Sequence, residues 1–237
     1  EWKSLENTGF VKSSMRGQSV APLCTTKWNQ SWPYNKFCPE QSASWADHGH
    51  VVVGCVATAM AQVMAYWDYP TQGTGSHTYT PRCSECGQYG TYPQQTVNFG
   101  ATTYDWENMV DRIDASSPVE QIDAIATLSY HCGVAVDMMY DHHGTGSGAY
   151  SQDVFVAIKN YFGYAQTNIT YRNANMSTWD NMLYESLDRS VPVYYAGSDD
   201  NNGGHAFVCD GYDENGLFHF NFGWGGSGDG FFTTEAM

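Results

Sequence analysis

The stretch from Gly54 to Trp67, GCVATAMAQVMAYW, puts a thiol at the head of a segment with helical spacing. Val56, Met60, Val63 and Trp67 recur at three- and four-residue steps, and Ala57, Ala59, Ala61 and Ala65 are strong helix formers, so the spacing predicts a core helix. The three valines at 51–53 favour an extended chain before it, and Gly54 admits a sharp turn. Cys55 then falls at a helix N-terminus. Unpaired N–H groups and the positive end of the macrodipole favour the thiolate there, which is the reactive form of the side chain. On these grounds three roles stay open: a buried structural thiol, half of a disulfide, or a nucleophile.

A second group suited to chemistry is His205, in Gly203-Gly204-His205-Ala206-Phe207-Val208. Two glycines leave its imidazole uncovered at the start of a strand pattern, although a lone histidine in such a place is ordinarily just solvated. Asn221 lies on the next apolar run, and a hairpin returns it toward His205. Two turns compete. A loop at Asn215-Gly216 pairs Asn221 with Asp210, whereas a loop at Asp213-Glu214 opposes His205 to Phe222 and sets Asn221 beside it. The two registers differ by an even shift and keep the same residues on each face, so patterning does not choose between them.

Other elements must hold these groups. Ser117-Pro118-Val119-Glu120 reads as a capping box with proline at the first helical position, and Ile122, Ile125 and Leu128 carry a helix to a C-cap at Gly133. Ser151 caps a third helix, through Val154, Ile158 and Tyr161 to Gly163; a fourth runs from Ser177 to Arg189 with Met182, Leu183 and Leu187 inward. From Val191 the pattern changes to strands at 191–197, 205–212 and 217–224, separated by Gly/Asn/Asp-rich turns. Residues 1–50 read as mostly irregular, and 70–105 as a polar Gly/Thr/Tyr-rich stretch without clear period. No repeat or low-complexity linker divides the chain. The fold class is α+β, with helices early and an antiparallel sheet late.

Composition sets the context. The chain has 237 residues, ten Lys plus Arg and a formal charge of −15, which excludes the basic patches needed for nucleic acid or an anionic membrane surface. No run of apolar residues is long enough for a transmembrane span, and the first residues lack the basic-then-apolar order of a signal peptide, so the chain reads as a mature or trimmed product. Low lysine, 15% aromatic residues and 24 glycines are the composition of an aromatic-packed, loop-rich globule of a kind common outside the cytoplasm.

The seven cysteines are Cys24, Cys38, Cys55, Cys83, Cys86, Cys132 and Cys209. Cys83-Ser-Glu-Cys86 has the spacing of half a zinc knuckle with no second half, which favours a local disulfide or two reduced thiols over a metal. Cys24 and Cys38 flank a short loop and are a second candidate pair, while Cys132 and Cys209 sit in apolar runs and read as core. Asn168 and Asn175 open glycosylation sequons, which a bacterial origin would make incidental.

Several long segments occur in one order: WNQSWPYN at 28–35, GCVATAMAQVMAYWDYP at 54–70, PVYYAG at 192–197, GGHAFVCDGYD at 203–213 and FHFNFGWGGSGDGFF at 218–232. Together they resemble the streptopain family of bacterial cysteine peptidases, from about Gln30 to Phe232. The resemblance implies a papain-like α+β fold in a single catalytic domain over 1–237. A helical lobe, mainly 45–190, carries the cysteine, and a β lobe, mainly 191–237 with N-terminal segments, carries the histidine. It implies Cys55 as nucleophile and His205 as its acid-base partner. Gln30 becomes the side-chain donor of an oxyanion hole shared with the Cys55 N–H, Asn221 the group orienting the imidazole, and Trp224 its shield. Ser147, in the Gly-rich loop 142–149, and Gly204 would line the substrate cleft. No cofactor and no metal is implied.

The expected partners are protein and peptide substrates and an N-terminal pro-segment that inhibits the enzyme, and the expected location is secreted or cell-surface. Residues 1–29 are too short to be that pro-segment, and the family pattern continues beyond the last motif here. Phe222 stands where the family has a tryptophan, so Asn221 is the assignment this departure touches. Two other readings share the residues: a Cys-His acyltransferase or amidase, and a silent binding module on the same frame.

Overall fold

Glycine is required at position 54 because the backbone there turns through φ +93°, and a Cβ would lie 2.8 Å from the Met138 side chain and 2.9 Å from the Ser147 carbonyl oxygen. Helix α1, Cys55–Trp67, starts at the next residue and ends at Asp68, a left-handed residue whose N–H bonds back to Met64 and Ala65. The computed structural model describes residues 18–82, 92–141, 144–165, 168–172, 176–199 and 203–236. In it α1 is central rather than one-faced. Val56, Ala57, Ala59, Met60, Ala61 and Met64 are all buried, so nearly the whole circumference is covered over the first three turns. Trp67, which the spacing put on the apolar face, is 44% exposed at the last residue.

The remaining helices are α2, Val119–Ala135, α3, Ser151–Asn160, and α4, Met176–Leu187. Their existence follows the sequence pattern but their ends do not. Ser117 makes no capping box: its hydroxyl accepts from the Asp114 N–H, and Pro118 precedes the helix. Gly133 lies inside α2, and the chain turns instead at Asp137, a left-handed residue. Ser151 is the first residue of α3, its hydroxyl bonded to Tyr194 at 2.9 Å. The stretch 70–105 holds a hairpin of two short strands, β1, His77–Tyr79, and β2, Gln95–Val97. Three-residue strands carry no readable period.

The late part of the chain is a four-stranded antiparallel sheet in sequential order: β3, Val193–Asp199; β4, Gly203–Tyr212; β5, Phe218–Asn221; and β6, Gly230–Phe232. Neither two-residue turn forms between β4 and β5. Asp213 closes a longer loop, its N–H bonded to the Leu217 carbonyl and its carboxylate taking the N–H groups of Asn215 and Leu217. The ladder runs Tyr212 to Phe218 and Gly211 to His219, then shifts at a bulge around Asp210 and continues as Cys209 to Phe220 and Val208 to Asn221. A bulge moves the register by one, a step that parity arguments on either simple hairpin do not contain. Asn221 thus pairs with Val208, three residues along β4 from His205.

Two cores flank α1. One joins α1, α2 and α3 with β1, β2 and the inner side of β4 through Ala206 and Val208. The other packs Leu183, Tyr184 and Leu187 of α4 onto Tyr195, Phe207, Phe218 and Phe220 of the sheet. Helix α4, read with the helical half, therefore belongs to the sheet's core. N-terminal residues complete the sheet side: Val20 exchanges two backbone hydrogen bonds with Tyr212, and Leu23 donates to the Asp210 carbonyl.

Cys24 and Cys38 do not bridge; both are buried free thiols, as are Cys132 and Cys209 in the core. Cys83 and Cys86 lie outside the described residues. Among the described residues no helix is long and apolar enough to cross a membrane.

Candidate active site

A cleft of about 910 Å³ opens where α1 meets the sheet. Gln30, Cys55, Ser147, Gly204, His205 and Trp224 all line it, six of the seven residues that the sequence nominated. Asn221 does not.

Cys55 is half-buried at the head of α1. Burial pushes its thiol up, and backbone hydrogen bonding from Ala206, Val56 and its own N–H pulls in the opposite direction. His205 shows the mirror image: burial lowers its imidazole, and a hydrogen bond to the Phe222 carbonyl raises it. Each group taken alone is thus pushed toward its neutral form. Among the described residues no hydrogen bond joins the Cys55 sulfur to the His205 ring, so separated charge on the two depends on their mutual attraction and on the helix terminus.

The His205 ring is fixed from two sides. Its Nε2 donates to the Phe222 carbonyl oxygen at 2.9 Å, which leaves Nδ1 as the unprotonated nitrogen of the neutral ring. Trp224 stacks on it with centroids 4.6 Å apart and planes inclined by 29°. The imidazole's partner is therefore a backbone carbonyl, not the Asn221 side chain expected from the sequence. The acceptor is itself held: the Phe222 N–H donates to Asp229 Oδ1 at 2.9 Å, and Asp229 Oδ2 pairs with Lys27 Nζ at 3.0 Å.

The Asn221 side chain is wholly buried on the far side of that turn. Its Oδ1 accepts from Gln62 Nε2 and from the Gly223 N–H, both at 3.1 Å, and its Nδ2 donates to the Thr26 carbonyl at 2.7 Å. Gly223 passes so close to α1 that a Cβ would sit 2.9 Å from the Thr58 methyl.

Gln30 is set beside the nucleophile through its backbone, the Val53 N–H donating to its carbonyl at 2.9 Å. Ser147 lines the cleft, but its hydroxyl is committed to the fold. It donates to the Val52 carbonyl at 2.7 Å and accepts from the Asp141 N–H at 3.2 Å. The Asp141 carboxylate in turn takes the N–H groups of Gly144, Thr145 and Gly146, tying down the glycine-rich wall. Gly204 sits on the open rim, where a Cβ would meet nothing closer than 3.8 Å.

The Phe222 carbonyl, Asp229, Asp141 and Gln62 escaped sequence reasoning. A backbone acceptor leaves no trace in residue types. Gln62 did leave one, as the amide seven residues past Cys55 in a helix made, apart from Thr58, of alanine, methionine and other apolar or aromatic residues.

A cysteine at the head of a central buried helix, packed on an antiparallel sheet that carries a histidine into the same cleft, is the papain-like cysteine-peptidase architecture. The chain belongs to the Peptidase C10 family, whose sequence profile matches residues 28–232. Streptopain of Streptococcus pyogenes is 35% identical over 252 aligned residues, which cover all of this chain and 61% of that protein. This chain thus spans about three fifths of the length of the curated relative. Among solved structures, active wild-type interpain A cysteine protease of Prevotella intermedia superposes with a TM-score of 0.81 at 38% identity, over 91% of this chain and 86% of that one. A prointerpain A fragment from the same organism also gives 0.81, at 36% identity, over 99% of this chain and 72% of that one.

Proposed function

We propose that the chain is the catalytic unit of a secreted cysteine endopeptidase working through a Cys55–His205 dyad and an acyl-enzyme. The observation that carries this reading is the convergence of Cys55, His205, Gln30 and Trp224, from four separate segments, on one cleft. Substrate entry brings a peptide carbonyl to Cys55. His205 takes the thiol proton on Nδ1 as sulfur attacks the carbonyl carbon, and the oxyanion is received by the Cys55 N–H and the Gln30 side-chain N–H. The imidazolium gives that proton to the amine nitrogen as the C–N bond breaks, leaving a thioester on Cys55. Water then attacks the thioester, losing a proton to His205 that returns to sulfur as the acid departs.

The Phe222 carbonyl holds the ring through both halves of the cycle, and Trp224 covers the His205–Phe222 hydrogen bond from water. Ser147 and Gly204 shape the walls that receive the substrate backbone. The pro-form of interpain A among the structural relatives supports an N-terminal pro-segment as inhibitor. The acidic, lysine-poor composition supports a location outside the cell.

Hydrolysis of casein or a fluorogenic peptide, with and without reductant and beside Cys55→Ala, tests the reading. Activity that needs reductant and disappears in Cys55→Ala is expected. Equal hydrolysis by Cys55→Ala would refute it.

A further inference from the structure

Gln62 lies two turns beyond Cys55 on α1, fully buried and unused by any step of the reaction. Its Oε1 accepts from the Thr26 hydroxyl at 3.1 Å and from the Trp28 N–H at 3.3 Å, and its Nε2 donates to Asn221 Oδ1 at 3.1 Å. Asn221 closes the circuit through the Gly223 N–H and the Thr26 carbonyl. A buried amide is costly unless its hydrogen bonds are made, and here they are. Yet packing alone does not ask for one. An apolar side chain of the same length fills the same space, and replacing a buried hydrogen-bonded group by a matched apolar one is often close to neutral for stability.

What the amide does, with the Asn221 amide it is bonded to, is join three segments around the cleft. One is α1, which carries Cys55. The second is 26–30, which ends at Gln30 and is further pinned where the Gly225 N–H meets the Trp28 carbonyl at 2.9 Å. The third is the turn 221–224, which supplies the Phe222 carbonyl for His205 and the Trp224 ring above it.

We propose that Gln62 is a positioning residue for catalysis, a single amide that registers the nucleophile's helix, the oxyanion-hole segment and the histidine-orienting turn against one another. The inference rests on the peptidase reading for its catalytic consequence. Its geometric core, the alignment of His205 with Cys55, does not.

The test replaces Gln62 with methionine, which keeps length and approximate volume and removes all three hydrogen bonds. A shift of even 1 Å between reacting groups can reduce turnover about a hundredfold, so Gln62→Met is expected to lower kcat by about ten- to a hundredfold with KM within about twofold of the parent. Alkylation of Cys55 by iodoacetamide, which needs no peptide substrate, should slow in parallel. Met64→Ala, a cavity in the same helix away from the network, should lose stability while keeping the parent's kcat and pH profile.

Gln62→Glu supplies a readout that packing does not. Protonated, it offers an O–H to Asn221 Oδ1; ionised, it offers none. Its activity and its alkylation rate relative to the parent should therefore fall as pH rises through that carboxyl's titration. Parent-like kcat, alkylation rate and pH profile in Gln62→Met, or a relative rate for Gln62→Glu that is flat in pH, overturn the proposal. Absence of peptide hydrolysis by the parent would instead overturn the peptidase reading, and the alkylation comparison would still decide the role of Gln62.

Discussion

His205 Nε2 lies 2.9 Å from the carbonyl oxygen of Phe222, so the ring's hydrogen-bond partner is main chain and not a neighbouring side chain. The consequence is that the residue type at 222 matters for packing and little for the tautomer. Phe222→Leu is expected to lower stability through lost contacts with Phe207 and Phe232, by about 1 to 3 kcal/mol, while kcat stays within a few-fold of the parent. Thermal melts beside steady-state kinetics check it. A thousandfold loss of kcat in a folded Phe222→Leu would show that the ring, not the carbonyl, does the orienting.

Asn221→Ala should reduce both turnover and stability. The side chain makes three buried hydrogen bonds, and leaving Gln62 and the Gly223 N–H without their acceptor costs about 1 to 3 kcal/mol. The Phe222 carbonyl then loosens, and kcat should drop about tenfold. A variant with an unchanged melting temperature would mean that the network is not as closed as its distances indicate.

For Gln30→Ala a different signature is expected. Removing one oxyanion-hole donor costs about 10²- to 10³-fold in kcat in a comparable hydrolase, and Gln30 lines the cleft while its backbone carbonyl accepts from the Val53 N–H. The variant should melt like the parent. An unaltered kcat would leave the hole to backbone donors only.

The directions in which burial pushes Cys55 and His205 give a pH prediction. The imidazole is lowered and the thiol raised, so a reactive thiolate at neutral pH would need the attraction of a charged His205. Iodoacetamide labelling of Cys55 against pH should inflect well below the ordinary thiol value of about 8.5 in the parent and above it in His205→Ala. The same inflection in both proteins would dissolve the dyad.

His131 gives a stability prediction remote from the cleft. Burial holds its imidazole down from 6.5 to about 4, with the ring bonded to the Tyr104 hydroxyl at 3.0 Å. Between those values the unfolded chain binds a proton that the folded one refuses, so stability is full above pH 6.5 and falls as pH drops toward 4. The loss amounts to about 3 kcal/mol at the acid end. Urea midpoints over this window should flatten by that amount in His131→Gln, and an unchanged slope would clear His131.

The sequence carried the pieces with strong local signals. Cys55 was visible through the Gly54 turn and the alanine-rich helix, the four helices through their periods, and strands β3 to β5 through apolar and aromatic runs between turn residues. What was illegible was register. Asp210 sits opposite no partner in the β4–β5 ladder, its carboxylate taken by His219 at 2.6 Å and by the Cys24 N–H at 2.9 Å, and that bulge moves Asn221 along β4 from His205. His219 lies in the hairpin itself, but the Cys24 N–H comes from 186 residues away, so no window of sequence around the hairpin contains both contacts. The backbone acceptor for His205 was hidden for a related reason, because carbonyl groups are the same at every position.

The segment from Thr26 to Gln30 is tied to the late part of the chain through the Thr26 carbonyl on Asn221, the Trp28 carbonyl on Gly225 and the Lys27 ammonium on Asp229. On the ribosome, where synthesis runs from the N-terminus, Cys55 emerges long before either His205 or the turn that orients it. The sequence of α1 is complete early, but the cleft closes only once residue 225 is free to reach back. On the peptidase reading, the nascent polypeptide would thus lack a complete site through most of its translation, and competence would arrive as one late event. Contacts of such long sequence separation also make that event slow.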